Sequence, residues 1–165
     1  MNVNWKELSG WASVHGQWLR RRYFNAEMLG HLAEQIRKGE ENHSGELVVA
    51  IEAVLPAHEA DSAQRALEVF GRLRVWDTPL NSGVLLYLAL GQRRIHIIAD
   101  RGIKAAPAQW AQIGQPLEKD LAAREYLSGL LAAVSAIEAV LQQGAPSQAP
   151  GATPANALPD EPVLL

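Results

Sequence analysis

The stretch Arg74-Val75-Trp76-Asp77-Thr78-Pro79-Leu80-Asn81-Ser82-Gly83-Val84-Leu85-Leu86-Tyr87 decides the fold. Its first half is turn chemistry: Asp, Asn and Ser offer side-chain oxygens to nearby backbone N–H groups, and Pro79 fixes one φ angle. From Gly83 to Leu90 no charge interrupts the chain, and the length is that of one strand. Both alternate sets of side chains there are apolar. A strand of that kind must be covered on both faces, so it lies inside a layered α/β domain and not on a half-solvated sheet.

Working outward, Gly91-Gln92 reads as a short turn and Ile95 to Ala99 as a strand, which together make an antiparallel hairpin with 83–90. Upstream, Glu46 to Leu55 carries Leu47/Val49/Ile51 on one face and Val48/Ala50/Val54 on the other, so it too is central. Between these strands Asp61-Ser62 opens a helix whose stripe is Ala63, Ala66/Leu67, Phe70 and Leu73. Asn25 caps an earlier helix carrying Met28, Leu29, Leu32 and Ile36. Pro107 fits the first position of a helix with Trp110, Ile113 and Leu117, which Pro116 is expected to kink or divide. A last helix carries Leu127, Leu130/Leu131, Val134, Ile137 and Leu141 and ends at Gly144. The order helix, strand, helix, strand, strand, helix, helix predicts a three-layer α/β/α sandwich on a short mixed sheet, with the first two strands parallel.

Composition sets limits. The chain has 165 residues, 48% hydrophobic and 20% charged, with a net charge of −3, values of an ordinary folded domain with no basic field for nucleic acid. Cysteine is absent, which excludes disulfides, thiolate nucleophiles and cysteine-based zinc sites. No run approaches the roughly 18 uninterrupted apolar residues of a membrane span, and the first 20 residues lack the pattern of a secretory signal. A cytoplasmic location is expected. Three regions follow: residues 1–24, amphipathic and rich in Trp and Arg; residues 25–143, the α/β domain; and residues 144–165, which hold five of the nine prolines and are expected to be disordered.

Parallel central strands begin on one edge of the sheet, and the third strand, running backwards, ends there. Three loops are thereby expected to meet: 40–44, 77–82 and 100–102. Asp77, Asn81 and Asp100 on that edge are the candidate ligands of a hard cation, Ca2+ or Mg2+, which takes carboxylate, amide and hydroxyl oxygens. The competing reading is structural: Asp77 and Asn81 shape a turn, and Asp100 pairs with Arg101 or Arg74. Asp61 and Glu52 fall toward the opposite edge. Nucleophilic chemistry finds little footing, because His43-Ser44 are only sequence neighbours and no nucleophile elbow, Walker loop or Gly-x-Gly-x-x-Gly is present. His96 lies within a strand; His31 and His58 read as surface residues.

Trp5, Leu8, Trp11/Ala12, His15 and Trp18/Leu19 recur at near-helical spacing ahead of Arg20-Arg21-Arg22. Residues 1–22 therefore either lie on a membrane surface or membrane protein, with arginines toward anionic lipid, or pack on the domain itself.

The strings Glu41-Asn-His-Ser-Gly-Glu-Leu-Val-Val-Ala50, Ala66-Leu-Glu-Val-Phe-Gly-Arg-Leu-Arg-Val-Trp-Asp-Thr-Pro-Leu-Asn-Ser-Gly-Val-Leu85 and Ile95-His-Ile-Ile-Ala-Asp-Arg-Gly-Ile103, with Trp110, resemble the TPM domain family over about residues 21–142. They are most similar to a short bacterial branch described as membrane-associated. The resemblance implies an α/β/α sandwich and an association with divalent cations. Some relatives are thylakoid-lumen proteins described as acid phosphatases, and others are accessory proteins of membrane receptors. Two functions stay open on this basis. One is a binding or accessory module beside a membrane protein; the other is a divalent-metal-dependent phosphatase acting at Asp77, Asn81 and Asp100.

Overall fold

The computed structural model describes residues 5–147 and 156–165, with side chains from residue 13 onward. Helices α1 (Trp5–Tyr23) and α2 (Ala26–Glu40) precede strand β1 (Glu46–Glu52). Helix α3 (Ser62–Arg72) leads into the hairpin of β2 (Gly83–Ala89) and β3 (Arg94–Ala99). Helices α4 (Pro107–Ala122) and α5 (Tyr126–Gly144) follow, and β4 (Val163–Leu164) ends the chain. The sheet order is β3-β2-β1-β4, with β1 parallel to both β2 and β4 and β3 antiparallel to β2.

The alternation read in the sequence becomes two cores. Leu47, Val49, Ile51, Val84, Leu86 and Leu88 face α2, α4 and α5, where Leu32, Ile36, Leu117, Leu130 and Ile137 close over them. Val48, Ala50, Leu85, Tyr87 and Ala89 face α3 through Ala66 and Val69. The fold is a three-layer α/β/α sandwich. Each fully buried Leu or Ile contributes roughly 1.5–3 kcal/mol of transfer free energy, so both faces of the sheet carry stability.

Local signals act where the residue chemistry asks for them. Asn25 Oδ1 accepts from Met28 N at 2.9 Å, and Asp61 Oδ1 from Ala63 N at 2.8 Å, satisfying donors that a helix start leaves free. Pro116 neither divides nor ends α4: the helix runs through it to Ala122, without the one bond that proline cannot donate. The break comes at Arg124, whose φ of 68° is left-handed. The hairpin connection is longer than Gly91-Gln92; residues 90–93 form it, and Arg93 closes it at φ 54°. Left-handed backbone costs a residue with a Cβ about 1–2 kcal/mol, which packing elsewhere must offset.

The C-terminal tail departs from expectation. Residues 156–165 do not stand free as disordered chain: Val163 and Leu164 pair with Ala50 and Ile51, Leu165 N donates to Ile51 O at 2.9 Å, and Leu158 is buried. Composition misled because only a few apolar residues are needed when the neighbouring strand has unpaired backbone groups to fill. Residues 148–155 lie outside the described residues.

Helix α1 packs on the domain through Leu19, and the line of Gly16 passes directly over Ala53 O. Val14 is exposed, and Trp18, half-exposed, packs its ring against His15 and Tyr23. The stripe from Trp5 to Trp11 lies outside the described side chains. Among the described residues one helix, α5, is long and apolar enough by length and composition to cross a membrane. In this fold its Leu130, Val134, Ile137 and Leu141 are fully inside the core.

Candidate functional site

At the starting ends of β1 and β2 the three loops do meet. Ser82 Oγ donates to Ser44 O at 2.7 Å and Glu46 N donates to Ser82 O at 3.1 Å, tying loop 40–45 to loop 77–82. Gly102 N donates to Asn81 O at 2.8 Å, tying loop 77–82 to the turn after β3. A Cβ on Gly102 would fall 2.3 Å from Leu80 O and 2.4 Å from Asn81 O, so glycine is what lets two backbones pass there. Thr78 organises the middle loop: its Oγ1 accepts from Ser82 N at 2.7 Å, and its carbonyl accepts from Asn81 N.

The three candidate ligands take different places on this edge. Asn81 and Asp100 are brought together by the Asn81–Gly102 bond; Asn81 adopts φ 53°, and its Oδ1 accepts from Arg101 Nη2 at 3.4 Å. Asp100 Oδ1 accepts from Arg101 N at 2.7 Å, whereas Asp100 Oδ2 is buried with no hydrogen-bond partner among the described residues. Asp77 is exposed on the same loop, with its backbone N–H on Arg74 O and its Oδ2 3.8 Å from Arg74 Nη1. Among the described residues no group of three or more His, Asp or Glu is placed to hold a metal ion. A cation on this edge would depend on one or two carboxylates and on carbonyl oxygens.

Hydroxyl nucleophiles are engaged elsewhere. Ser44 Oγ donates to Pro146 O at 2.6 Å, and Ser82 Oγ is held by Ser44 O. His43 does not address either: its Nε2 lies 2.6 Å from Glu138 Oε2 and its Nδ1 accepts from Gly45 N at 3.1 Å. A general base with no hydroxyl in reach cannot activate one.

Behind the loops sits a set of buried carboxyls. Glu40 Oε1 accepts from Leu47 N at 2.8 Å; both oxygens of Glu46 accept from Ala157 N and Leu158 N of the tail; Glu138 bonds His43. Burial pushes the Glu40 carboxyl up to about 8, with Asp160, Glu138 and Glu46 adding like-charge repulsion. Burial also raises Glu46 and Glu138 above the ordinary range, although backbone N–H groups and His43 respectively pull them back. Glu138 Oε1 has no partner. Glu138 was legible only as an irregularity, a carboxylate on the Val134–Leu141 stripe of an otherwise apolar helix face.

The opposite end of the sheet holds a polar network that the strand pattern concealed. Glu52 and Arg65 are both buried and paired through two bonds, Tyr87 Oη donates to Glu52, and Arg65 Nη1 reaches Glu68 at 2.9 Å. The guanidinium of Arg65 is held above its ordinary pKa mainly by its bonds to Glu52. His58 is exposed and lies 3.1 Å from Glu68; His31 is exposed. His96 packs on the Tyr87 ring with Nε2 2.9 Å from Ser62 Oγ, and burial lowers its pKa.

Comparison with known proteins agrees with the architecture. No curated protein matches the chain. Among solved structures, the BA42 protein of the psychrophilic bacterium Bizionia argentinensis, determined by NMR, superposes with a TM-score of 0.72 at 25% identity. The match covers 85% of this chain and 94% of that one. The family model of the TPM domain matches residues 21–140, from the end of α1 to the last turn of α5. The chain belongs to the TPM domain family.

Proposed function

We propose that this TPM domain is a non-catalytic binding module that takes a divalent cation, Ca2+ or Mg2+, at the meeting of loops 77–82 and 100–102. The observation that carries the reading is Asp100 Oδ2, a buried carboxylate oxygen with no donor among the described residues. Leaving such an oxygen unpaired costs about 1–3 kcal/mol, and a hard cation bound through it removes that cost. Asn81 supplies oxygens beside it and Asp77 a second carboxylate on the loop. Arg101, whose guanidinium reaches Asn81 Oδ1, has to swing away as the ion enters. The engaged hydroxyls of Ser44 and Ser82 favour binding over catalysis.

The test is calorimetric titration of Ca2+ and Mg2+ into the full chain and into Asp100→Asn. One saturable site that disappears in the variant is the expected result; no heat with the unaltered chain, or unchanged affinity in Asp100→Asn, overturns the reading. Metal-dependent hydrolysis of generic phosphate esters, lost in both Asp77→Asn and Asp100→Asn, would replace it with the phosphatase reading.

The module is further proposed to work in the cytoplasm beside a membrane protein or membrane surface through residues 1–22. The exposed Val14 and the half-exposed Trp18 of α1 support a contact there. Removing residues 1–22 should abolish co-sedimentation with membranes; undiminished association sinks this role.

A further inference from the structure

At the other end of the sheet, α1, the β2–β3 hairpin and the end of α4 enclose a cavity of about 350 Å³, within the range of small-ligand sites. Its walls divide by chemistry. Leu19, Leu88, Leu90 and Leu121 make an apolar floor, flanked by the rings of Trp18 and Tyr126. Arg93, Arg94 and Arg124 also line it, together with His15, against a single carboxylate, Glu118. Among the described residues none of the three arginines forms an ion pair with a carboxylate. Arg93 Nη2 reaches only His15 Nε2, at 3.4 Å.

The backbone adds a second, independent observation. Among the described residues four non-glycine positions have positive φ, and two of them, Arg93 at 54° and Arg124 at 68°, line this one cavity. Each closes a turn that glycine would close without strain. Strained positions that persist cluster at active sites and ligand clamps. Here the two strained turns deliver two guanidiniums, from the hairpin and from the α4–α5 connection, to the same apolar space.

We infer that this cavity binds a small amphipathic anion, its aliphatic or aromatic body on the Leu88–Leu121 floor and its carboxylate or phosphate head on Arg93 and Arg124. Guanidinium recognises both heads through paired N–H donors, and three arginines against one lining carboxylate leave the space with an excess of positive charge that favours an anion. The site is remote from the Asp100 edge, so neither reading depends on the other.

Decanoate is the probe for a free anion, titrated calorimetrically into the full chain, with 1-decanol as its neutral counterpart. The intact chain should bind decanoate at least tenfold more tightly than decanol. Replacing both strained residues, Arg93→Gly with Arg124→Gly, should remove that preference while the thermal midpoint holds or rises, since glycine relieves the turns. Leu121→Trp, which fills the floor, should abolish binding of both probes. The second arm uses vesicles of phosphatidylglycerol or phosphatidylcholine: binding to the former alone, lost in the double glycine variant, assigns the head to a lipid. Decanoate binding no tighter than decanol, together with no preference for anionic vesicles, overturns the proposal, as does affinity unchanged in the double variant.

Discussion

Arg65 meets both carboxylate oxygens of Glu52, Nε to Oε2 at 3.0 Å and Nη2 to Oε1 at 2.9 Å, with only 4% and 5% of the two side chains exposed. Tyr87 Oη donates to the same Oε2 at 2.5 Å, so three groups from β1, β2 and α3 lock one face of the sheet to its covering helix. Burial and the bond to Glu52 hold the Tyr87 phenol above its ordinary pKa.

Removing one partner of such a pair strands the other charge inside the protein. Arg65→Met should therefore lower unfolding stability by about 3–5 kcal/mol, whereas Tyr87→Phe, which leaves the pair intact, should cost about 1–2 kcal/mol. Urea unfolding of the two variants checks the ranking. Equal losses would show that the three groups do not divide into a core pair and an accessory donor.

The buried carboxyls make stability fall with rising pH. Glu40 has a folded pKa of about 8 against 4.5 for the free group, so between those values the folded chain binds more protons than the unfolded one. Its favourable contribution is complete below pH 4.5 and is lost as pH rises through 8. Glu46 and Glu138 are shifted in the same direction. Glu40→Gln should raise unfolding stability at pH 8 by on the order of 2 kcal/mol after allowance for partial solvent access, seen as a higher thermal midpoint, and flatten the profile between pH 5 and 8. A variant that keeps the parent's slope would assign the pH dependence elsewhere.

Gly16 fixes the seat of α1. A Cβ there would lie 1.8 Å from Ala53 O, a backbone atom that cannot turn aside. Gly16→Ala should lift α1 from the domain, cost about 1–3 kcal/mol and alter the fluorescence of Trp18. An unchanged spectrum and midpoint would mean that α1 is not docked as described.

If a cation binds at the Asp100 edge as proposed, Arg101 opposes it. Its guanidinium occupies Asn81 Oδ1, so Arg101→Ala should tighten Ca2+ or Mg2+ binding by a few-fold in the same calorimetric titration. Weaker binding in this variant would place Arg101 among the elements that shape the site.

Much of the fold could be read from the chain because its signals were local or strictly periodic. Asn25, Asp61 and Pro107 marked helix starts, and strands apolar on both faces forced the sandwich. The meeting of loops 40–44, 77–82 and 100–102 followed from strand direction alone. What stayed hidden depends on partners distant in sequence. Glu46 opened the strand and Glu52 fell toward the opposite edge, but neither position showed its partner: the first is satisfied by residues 157 and 158 and the second by Arg65. Val163 and Leu164 became a strand only because β1 offered them an edge. The cavity between Arg93 and Arg124 needed the docking of α1, which no periodicity fixes.

That borrowed edge gives the C-terminal residues a protective duty. Strand β1 is buried along its whole length, and β4 with Leu165 occupies the backbone groups of Ala50 and Ile51 that would otherwise face outward. An uncovered apolar strand of this kind invites another chain to pair with it. Shortening the protein before residue 156 is thus expected to yield molecules that remain folded around β1 and β2 but polymerise edge to edge, so that solubility fails before secondary structure does.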